Sequence, residues 1–152
     1  TDAKMNTPLR TQEDVDAILE CIADGIIDVI ATDHAPHSQD EKNVEFDLAP
    51  FGIVGLETAL SLSLELVDKG VIGLDEMIRK LTVAPSEIVG IERGTIAPGS
   101  VADIVVFNPE MIWTVDPGKF FSKGRNTPFS GWDLKGVVSS TVVSGKVVFS
   151  RN

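Results

Sequence analysis

Cysteine occurs once in these 152 residues, at Cys21, so no internal disulfide is available and a small disulfide-stapled framework is excluded. On an apparent helix that residue reads as a small buried hydrophobe, in keeping with a reducing cytoplasm. No run approaches the ~18 consecutive apolar residues of a membrane span. The N-terminus also lacks the basic-then-apolar order of a signal peptide, so a cytoplasmic protein is expected. Basic residues are scarce: 13 Lys and Arg face 23 Asp and Glu, a formal net charge of −10. That balance repels phosphate backbones and anionic lipid, so neither nucleic acid nor a membrane is an expected partner. Internal repeats and low-complexity tracts are missing too. The first methionine is Met5, behind a start at Thr1, which points to a processed or truncated polypeptide.

What is present suits a globular fold. Hydrophobic residues make up 43% and charged residues 24% of the chain, enough for one sizeable core or a modest domain plus part of another. Ala3 to Met5 reads as the end of a strand, with Asn6-Thr7-Pro8 as a loop behind it. Thr11 is placed to cap a helix that has Glu13 and Asp14 in its first turn. Val15, Ile18, Leu19 and Ile22 recur on one face of that helix, and Gly25 stops it. The β-branched run Ile26 to Ala31 follows at once and predicts a buried strand. Further helices are expected over Leu56 to Lys69, Leu74 to Leu81 and Pro85 to Val89, the last with proline at its first position and Gly90 behind it.

From Gly94 the character changes. Gly94-Thr95-Ile96, Ala102 to Phe107 and Met111 to Val115 read as strands, with a turn at Pro98-Gly99. Val137 to Val143 and Lys146 to Phe149 form a predicted hairpin across Ser144-Gly145. Helices before residue 90 and strands after it suggest the end of a βα unit, a helical trailer and a small β domain. A closed βα barrel typically needs about 250 residues and eight strands. Only two candidate barrel strands occur here, so either the fold is smaller or the remaining strands belong to another piece of polypeptide.

The segment Thr32-Asp33-His34-Ala35-Pro36-His37 stands at the end of the strand predicted over Ile26 to Ala31, where α/β folds collect ligands and catalytic groups. Successive strand side chains face opposite ways, so Asp33 and His34 cannot both enter one site: one is functional and the other structural. Pro36 turns the chain and can bring His37 back to the side of Asp33. With Asn6 and Arg10 at the previous strand end, these residues make a polar cluster suited to a metal, a proton transfer or an anion. Taken by itself, the pattern more often marks an aspartate capping a turn beside two ordinary histidines. Zinc would need at least three protein ligands, and the strand alternation keeps Asp33, His34 and His37 from supplying them all. The polar stretch Ser38 to Asp47 reads either as a mobile active-site loop or as a plain surface connection.

Three stretches, Lys4 to Arg10, Thr32 to His37 and Pro50 to Thr58, together resemble the C-terminal third of dihydroorotases of the bacterial and archaeal type, within the amidohydrolase superfamily. The resemblance continues through Gly94-Thr95-Ile96, Gly99, Ala102 to Phe107, Asn126-Thr127-Pro128-Phe129 and Gly145 to Val148, and so covers essentially the whole chain. These later motifs are shared with dihydropyrimidinases and allantoinases; the pairing of Asp33 with His37 favours dihydroorotase.

What the resemblance implies is specific. The fold is α/β: residues 1–93 would be the last two βα units of a (β/α)8 metal-dependent hydrolase barrel, and residues 94–152 strands of a small β-sandwich completed by an N-terminal segment. The activity would be the reversible zinc-dependent hydrolysis of (S)-dihydroorotate to N-carbamoyl-L-aspartate in pyrimidine biosynthesis. Asp33 would be a metal ligand and the general acid/base, Asn6 and His37 substrate contacts, and Phe51-Gly52 a source of main-chain groups for the pyrimidine ring. One or two zinc ions are implied, with most ligands on the N-terminal remainder of the same protein, so the chain alone should be inactive. The partners are then a small-molecule substrate and that remainder, with a homo-oligomer left open. Rival readings are another cyclic amidohydrolase acting on hydantoins, dihydropyrimidines or allantoin, a non-catalytic homologue, and a self-contained α+β binding module.

Overall fold

The computed structural model describes residues 1–151. Five helices precede a three-stranded antiparallel sheet: α1 (Gln12–Ala23), α2 (Gln39–Lys42), α3 (Ala59–Asp68), α4 (Leu74–Leu81), α5 (Val83–Val89), then β1 (Ile104–Thr114), β2 (Asp133–Val143) and β3 (Lys146–Ser150). The sheet order is β1-β2-β3. None of the described helices is long and apolar enough to cross a membrane.

The helix predictions survive closely. Thr11 caps α1, accepting from the Asp14 N–H while the Asp14 carboxylate reaches back to the Thr11 main chain, which satisfies two otherwise orphaned donors. Helix α4 has the predicted bounds. Helix α3 begins three residues later than expected because residues 56–58 first form a turn. Helix α5 starts at Val83, so Pro85 is its third residue rather than its first, still inside the turn whose N–H groups lack helical partners. Gly90 closes it in the left-handed conformation, φ 72°.

Two strand expectations change form. Ala102 to Phe107 and Met111 to Val115 are one strand, β1, interrupted where its register against β2 shifts between Asn108 and Ile112. Pro109 has no N–H to give the ladder. The Asn108 Oδ1 instead accepts from the Glu110 and Met111 N–H groups at 2.9 and 3.2 Å. The hairpin is as predicted, its turn made by Ser144 (φ 49°) and Gly145 (φ 76°), both left-handed as a two-residue hairpin turn requires.

Gly94-Thr95-Ile96, Ala3 to Met5 and Ile26 to Ala31 are not strands among the described residues. The reason is pairing: a strand exists through its neighbour's backbone, and these segments use theirs elsewhere. The Ile26 and Ile27 N–H groups bond back to the Cys21 carbonyl, and the Ile30 N–H bonds to the Lys80 carbonyl on α4. The alternation of half-buried Ile27 and Val29 with exposed Asp28 nonetheless persists.

The core joins the helical and sheet regions. Val54, Val115, Phe120 and Leu134 are buried together, with Leu62, Trp113 and Phe129 packed against them. Helix α3 lies close on β2 because the residues at the crossing are small. Ser61 is buried, donates to the Gly136 carbonyl at 3.2 Å and accepts from the Trp113 Nε1 at 2.9 Å. A Cβ on Gly136 would stand 2.5 Å from the Leu64 Cδ1. Elsewhere apolar side chains remain uncovered, among them Val15 and Ile18 on α1 at 42% and 50% exposure.

Candidate active site around Asp33 and His37

Asp33 sits in a turn, not on a strand, with φ 43°, a conformation costly for a residue bearing a Cβ and maintained only where the surroundings impose it. Its side chain is exposed. The neighbouring His34 has the opposite character. Its Nδ1 accepts from the Gly55 N–H at 3.1 Å, and its Nε2 faces the Ser122 Oγ at 3.4 Å. Both His34 ring nitrogens have partners inside the chain, which ties the residues around it to Gly55 and Ser122, whereas the Asp33 side chain next to it is exposed.

His37 is half-buried, its Nε2 3.0 Å from the Phe51 carbonyl and its Nδ1 3.6 Å from the Glu41 carboxylate. Glu41 in turn belongs to the capping box of α2. The main-chain N–H and hydroxyl of Ser38 hold its carboxyl below the ordinary carboxylate range, and the charge of His37 adds to this. His37 borders a cavity of ≈ 440 Å³ shared with Ser38, Lys42, Lys123 and Arg125.

Phe51 and Gly52 lie beside the turn, but their main-chain groups are largely engaged. The Phe51 carbonyl faces His37, the Gly52 N–H donates to the Lys4 carbonyl at 2.9 Å, and the Gly52 carbonyl accepts from the Asn126 Nδ2 at 3.1 Å. Gly52 has φ 111°, and a Cβ there would stand 2.5 Å from that of Ala35, so only glycine allows this approach. Asn6 is exposed, two residues beyond Lys4. Arg10 pairs with Asp14 on α1 at 3.0 Å, outside this network.

Several contributors carry no chemical signature in the sequence. Lys4 is buried, donating to the Asp47 and Ala49 carbonyls at 3.0 and 2.7 Å with its ammonium 4.7 Å from the Phe51 ring centroid. Lys42 donates to the Pro50 carbonyl at 2.8 Å, and burial lowers its pKa. The stretch Ser38 to Asp47 and the residues behind it are therefore anchored at several carbonyls. Asn126, 4% exposed, reaches the turn from the far end of the chain. Its residue type is unremarkable; the available hint was its place at the head of the Asn126-Thr127-Pro128-Phe129 motif.

A second, larger cavity of ≈ 790 Å³ lies between α3 and the sheet, lined by Leu60, Trp113, Phe120 and Phe149 among others, and contains none of the predicted site residues. Its walls are those of the core, and it is a packing face rather than a site for this chemistry. No group of three or more His, Cys, Asp and Glu able to hold a metal occurs among the described residues. Of the predicted site residues only Asp33 carries a carboxylate, an exposed hard oxygen donor of the type a divalent cation takes.

The fold is an α/β fold shared with solved hydantoinases and dihydropyrimidinases. It superimposes on the dihydropyrimidinase of Brevibacillus agri with a TM-score of 0.91 at 27% identity, covering 98% of this chain and 34% of that one. The L-hydantoinase (dihydropyrimidinase) of Arthrobacter aurescens gives 0.90 at 29% identity. Residues 5–148 match the model of the amidohydrolase family, and the chain belongs to that family. Within it the chain is similar to dihydroorotases: 56% identical to that of Geobacter metallireducens over 99% of its length, and 54% identical to that of Pelotomaculum thermopropionicum over 97%. It spans about a third of those relatives, 36% and 35% of their lengths.

Proposed function

We propose that this chain is part of a dihydroorotase, acting on (S)-dihydroorotate and N-carbamoyl-L-aspartate in pyrimidine biosynthesis. The observation that carries the reading is the 56% identity to a dihydroorotase across 99% of the chain. The free carboxylate of Asp33, at the end of a segment otherwise tied down by hydrogen bonds, supports it. Residues 1–93 then close a (β/α)8 barrel begun by the remainder of the protein, and residues 94–152 contribute to a β-sandwich. The unpaired segments Ala3 to Met5 and Ile26 to Ala31 take their ladder partners from that remainder.

Asp33 is assigned two tasks. Its carboxylate would help to hold zinc, together with ligands outside this chain. When bound, zinc supplies Lewis acidity toward a carbonyl and makes water a competent nucleophile near pH 7. In ring opening the Asp33 carboxylate accepts the proton of the attacking water and delivers it to the departing ring nitrogen, a transfer worth ~10²- to 10⁴-fold. In ring closure it begins protonated. His37 receives the substrate carboxylate, and Asn6 donates to and accepts from the edge of the cyclic amide. Phe51 and Gly52 set the wall of the ring site, their carbonyls retaining a second lone pair each.

The test uses the complete protein. Asp33→Asn should lower kcat for dihydroorotate by ~10²- to 10⁴-fold; wild-type turnover in that variant would remove Asp33 from the reaction. The likeness to dihydropyrimidinases keeps one competitor. Turnover of dihydrouracil or a hydantoin in preference to dihydroorotate would decide for it.

A further inference from the structure

We infer that Asn126 is a positioning residue, whose side-chain amide fixes the backbone of the Asp33–His37 turn and through it both functional groups of the proposed site. The inference rests on the dihydroorotase reading of that turn. One amide makes three bonds there: Oδ1 accepts from the His37 N–H at 3.0 Å, and Nδ2 donates to the Ala35 carbonyl at 2.9 Å and to the Gly52 carbonyl at 3.1 Å. The main chain joins in, the Val54 N–H donating to the Asn126 carbonyl and the Ala35 N–H to that of Ile53, each at 2.9 Å. Asn126 therefore bonds on both sides of Pro36 and to the facing segment at once.

The packing leaves no slack. Main chains approach so closely that a Cβ on Gly124 would lie 2.7 Å from the Pro36 Cβ and 2.8 Å from its Cα, while Gly52 meets Ala35 from the other side. The turn is thus held between two glycine-bearing segments, with Asn126 crossing from one to the other. Asp33 holds its φ of 43° with an exposed side chain. Its geometry is imposed by neighbours, and the bonds at Ala35 and His37, with the His34–Gly55 bond behind, are those that impose it. Asn126 touches no substrate in this account; it acts through Asp33 and His37.

Displacing the turn moves a chemical group and a binding group together, so both kinetic constants change. In the complete protein, Asn126→Ala should lower kcat/KM for dihydroorotate by ~10²-fold. KM should rise because His37 moves, and kcat should fall because Asp33 moves. A purely destabilising change depletes folded enzyme, lowering apparent kcat and leaving KM alone. Ser61→Ala, which removes a buried hydrogen-bonding hydroxyl remote from the turn, is the control for that behaviour. Gly124→Ala is the second variant: it keeps the Asn126 amide but drives a methyl to 2.7 Å from the Pro36 Cβ and 2.8 Å from the Asn126 Oδ1, displacing the same contact, and should reproduce the KM rise. Should Asn126→Ala fail to fold, Gly124→Ala carries the test.

An unchanged KM in these variants, or losses no larger than those of Ser61→Ala at equal loss of thermal stability, would overturn the inference. Asp33→Asn measured in parallel separates the two readings. If it is inactive while Asn126→Ala and Gly124→Ala keep wild-type KM, only the positioning role fails. If Asp33→Asn turns over normally, the site itself has been misassigned.

Discussion

Outside its helices, the region of residues 1–89 satisfies its backbone differently from the β1–β3 sheet. In the sheet, N–H and C=O groups pair with one another along two antiparallel ladders, and the only device needed to start the β2–β3 ladder is a two-residue turn. In the earlier region carbonyls are satisfied by side chains from far along the sequence: Lys4 reaches Ala49, Lys80 reaches Ile27, and Asn126 reaches Ala35 across 91 positions. A ladder repeats one interaction and fixes general shape. Single long-range side-chain bonds fix individual turns, which is what a site must do when a carboxylate has to be held in a costly conformation.

Gly136, where the two regions meet, is the place to break the contrast with most effect. Its φ of 97° disfavours any Cβ, and the Leu64 Cδ1 occupies the space a Cβ would need. Gly136→Ala in the complete protein should cost about 3 kcal/mol, combining backbone strain with overpacking. Denaturant unfolding measures the loss, which should appear in amide protection of both α3 and β2. Loss confined to β2 would mean that the α3–β2 contact is not what couples the regions.

Lys80 sharpens the comparison from the helical side. Its side chain is fully buried, its ammonium donating to the Ile27 carbonyl and lying 3.1 Å from the Glu76 carboxylate. Lys80→Met nearly preserves volume but leaves the Ile27 carbonyl without its donor, a loss of about 2 kcal/mol. Glu76 retains Arg79 at 3.0 Å, so no charge is stranded. Hydrogen exchange should quicken at Ile30, whose N–H bonds to the Lys80 carbonyl, while the β2–β3 amides stay unchanged. Equal loosening of the sheet would erase the distinction.

The same contrast explains what the sequence disclosed. Helix α1 was legible because Thr11, Asp14 and Gly25 act within a few positions of one another, and the hairpin because Ser144-Gly145 and its flanking alternation are contiguous. The strand expected at Ile26 to Ala31 was not realised, since alternation describes one strand and cannot supply its neighbour. Asp33, His37 and Phe51-Gly52 stood out through resemblance. Lys4 and Asn126 lay inside stretches that carried the resemblance, but their ties, like those of Lys42 and Lys80, were not legible, because such residues are usually exposed and their partners include main-chain carbonyls, which look alike at every position. Strand alternation predicted that Asp33 and His34 would differ, and they do, His34 bonding to Gly55 while Asp33 is exposed, but the segment is not a strand and the alternation argument does not account for the difference.

The smallest expected effect lies in the hairpin and is the most local. Ser144 adopts φ 49° with an exposed side chain, while its N–H donates to the Asp103 carboxylate at 2.7 Å. Asparagine tolerates the left-handed conformation better than serine, and Asn-Gly is the favoured pair in a turn of this kind. Ser144→Asn keeps the N–H bond and should stabilise the hairpin by about 0.5 kcal/mol, read as roughly twofold greater amide protection along β2–β3. Protection around Asp33 and His37 should not change, because no described hydrogen bond links the hairpin turn to that region. A parallel gain there would show that the ladder and the long-range ties form one cooperative unit, and the two modes of satisfying the backbone would then be a difference of geometry without a difference of stability.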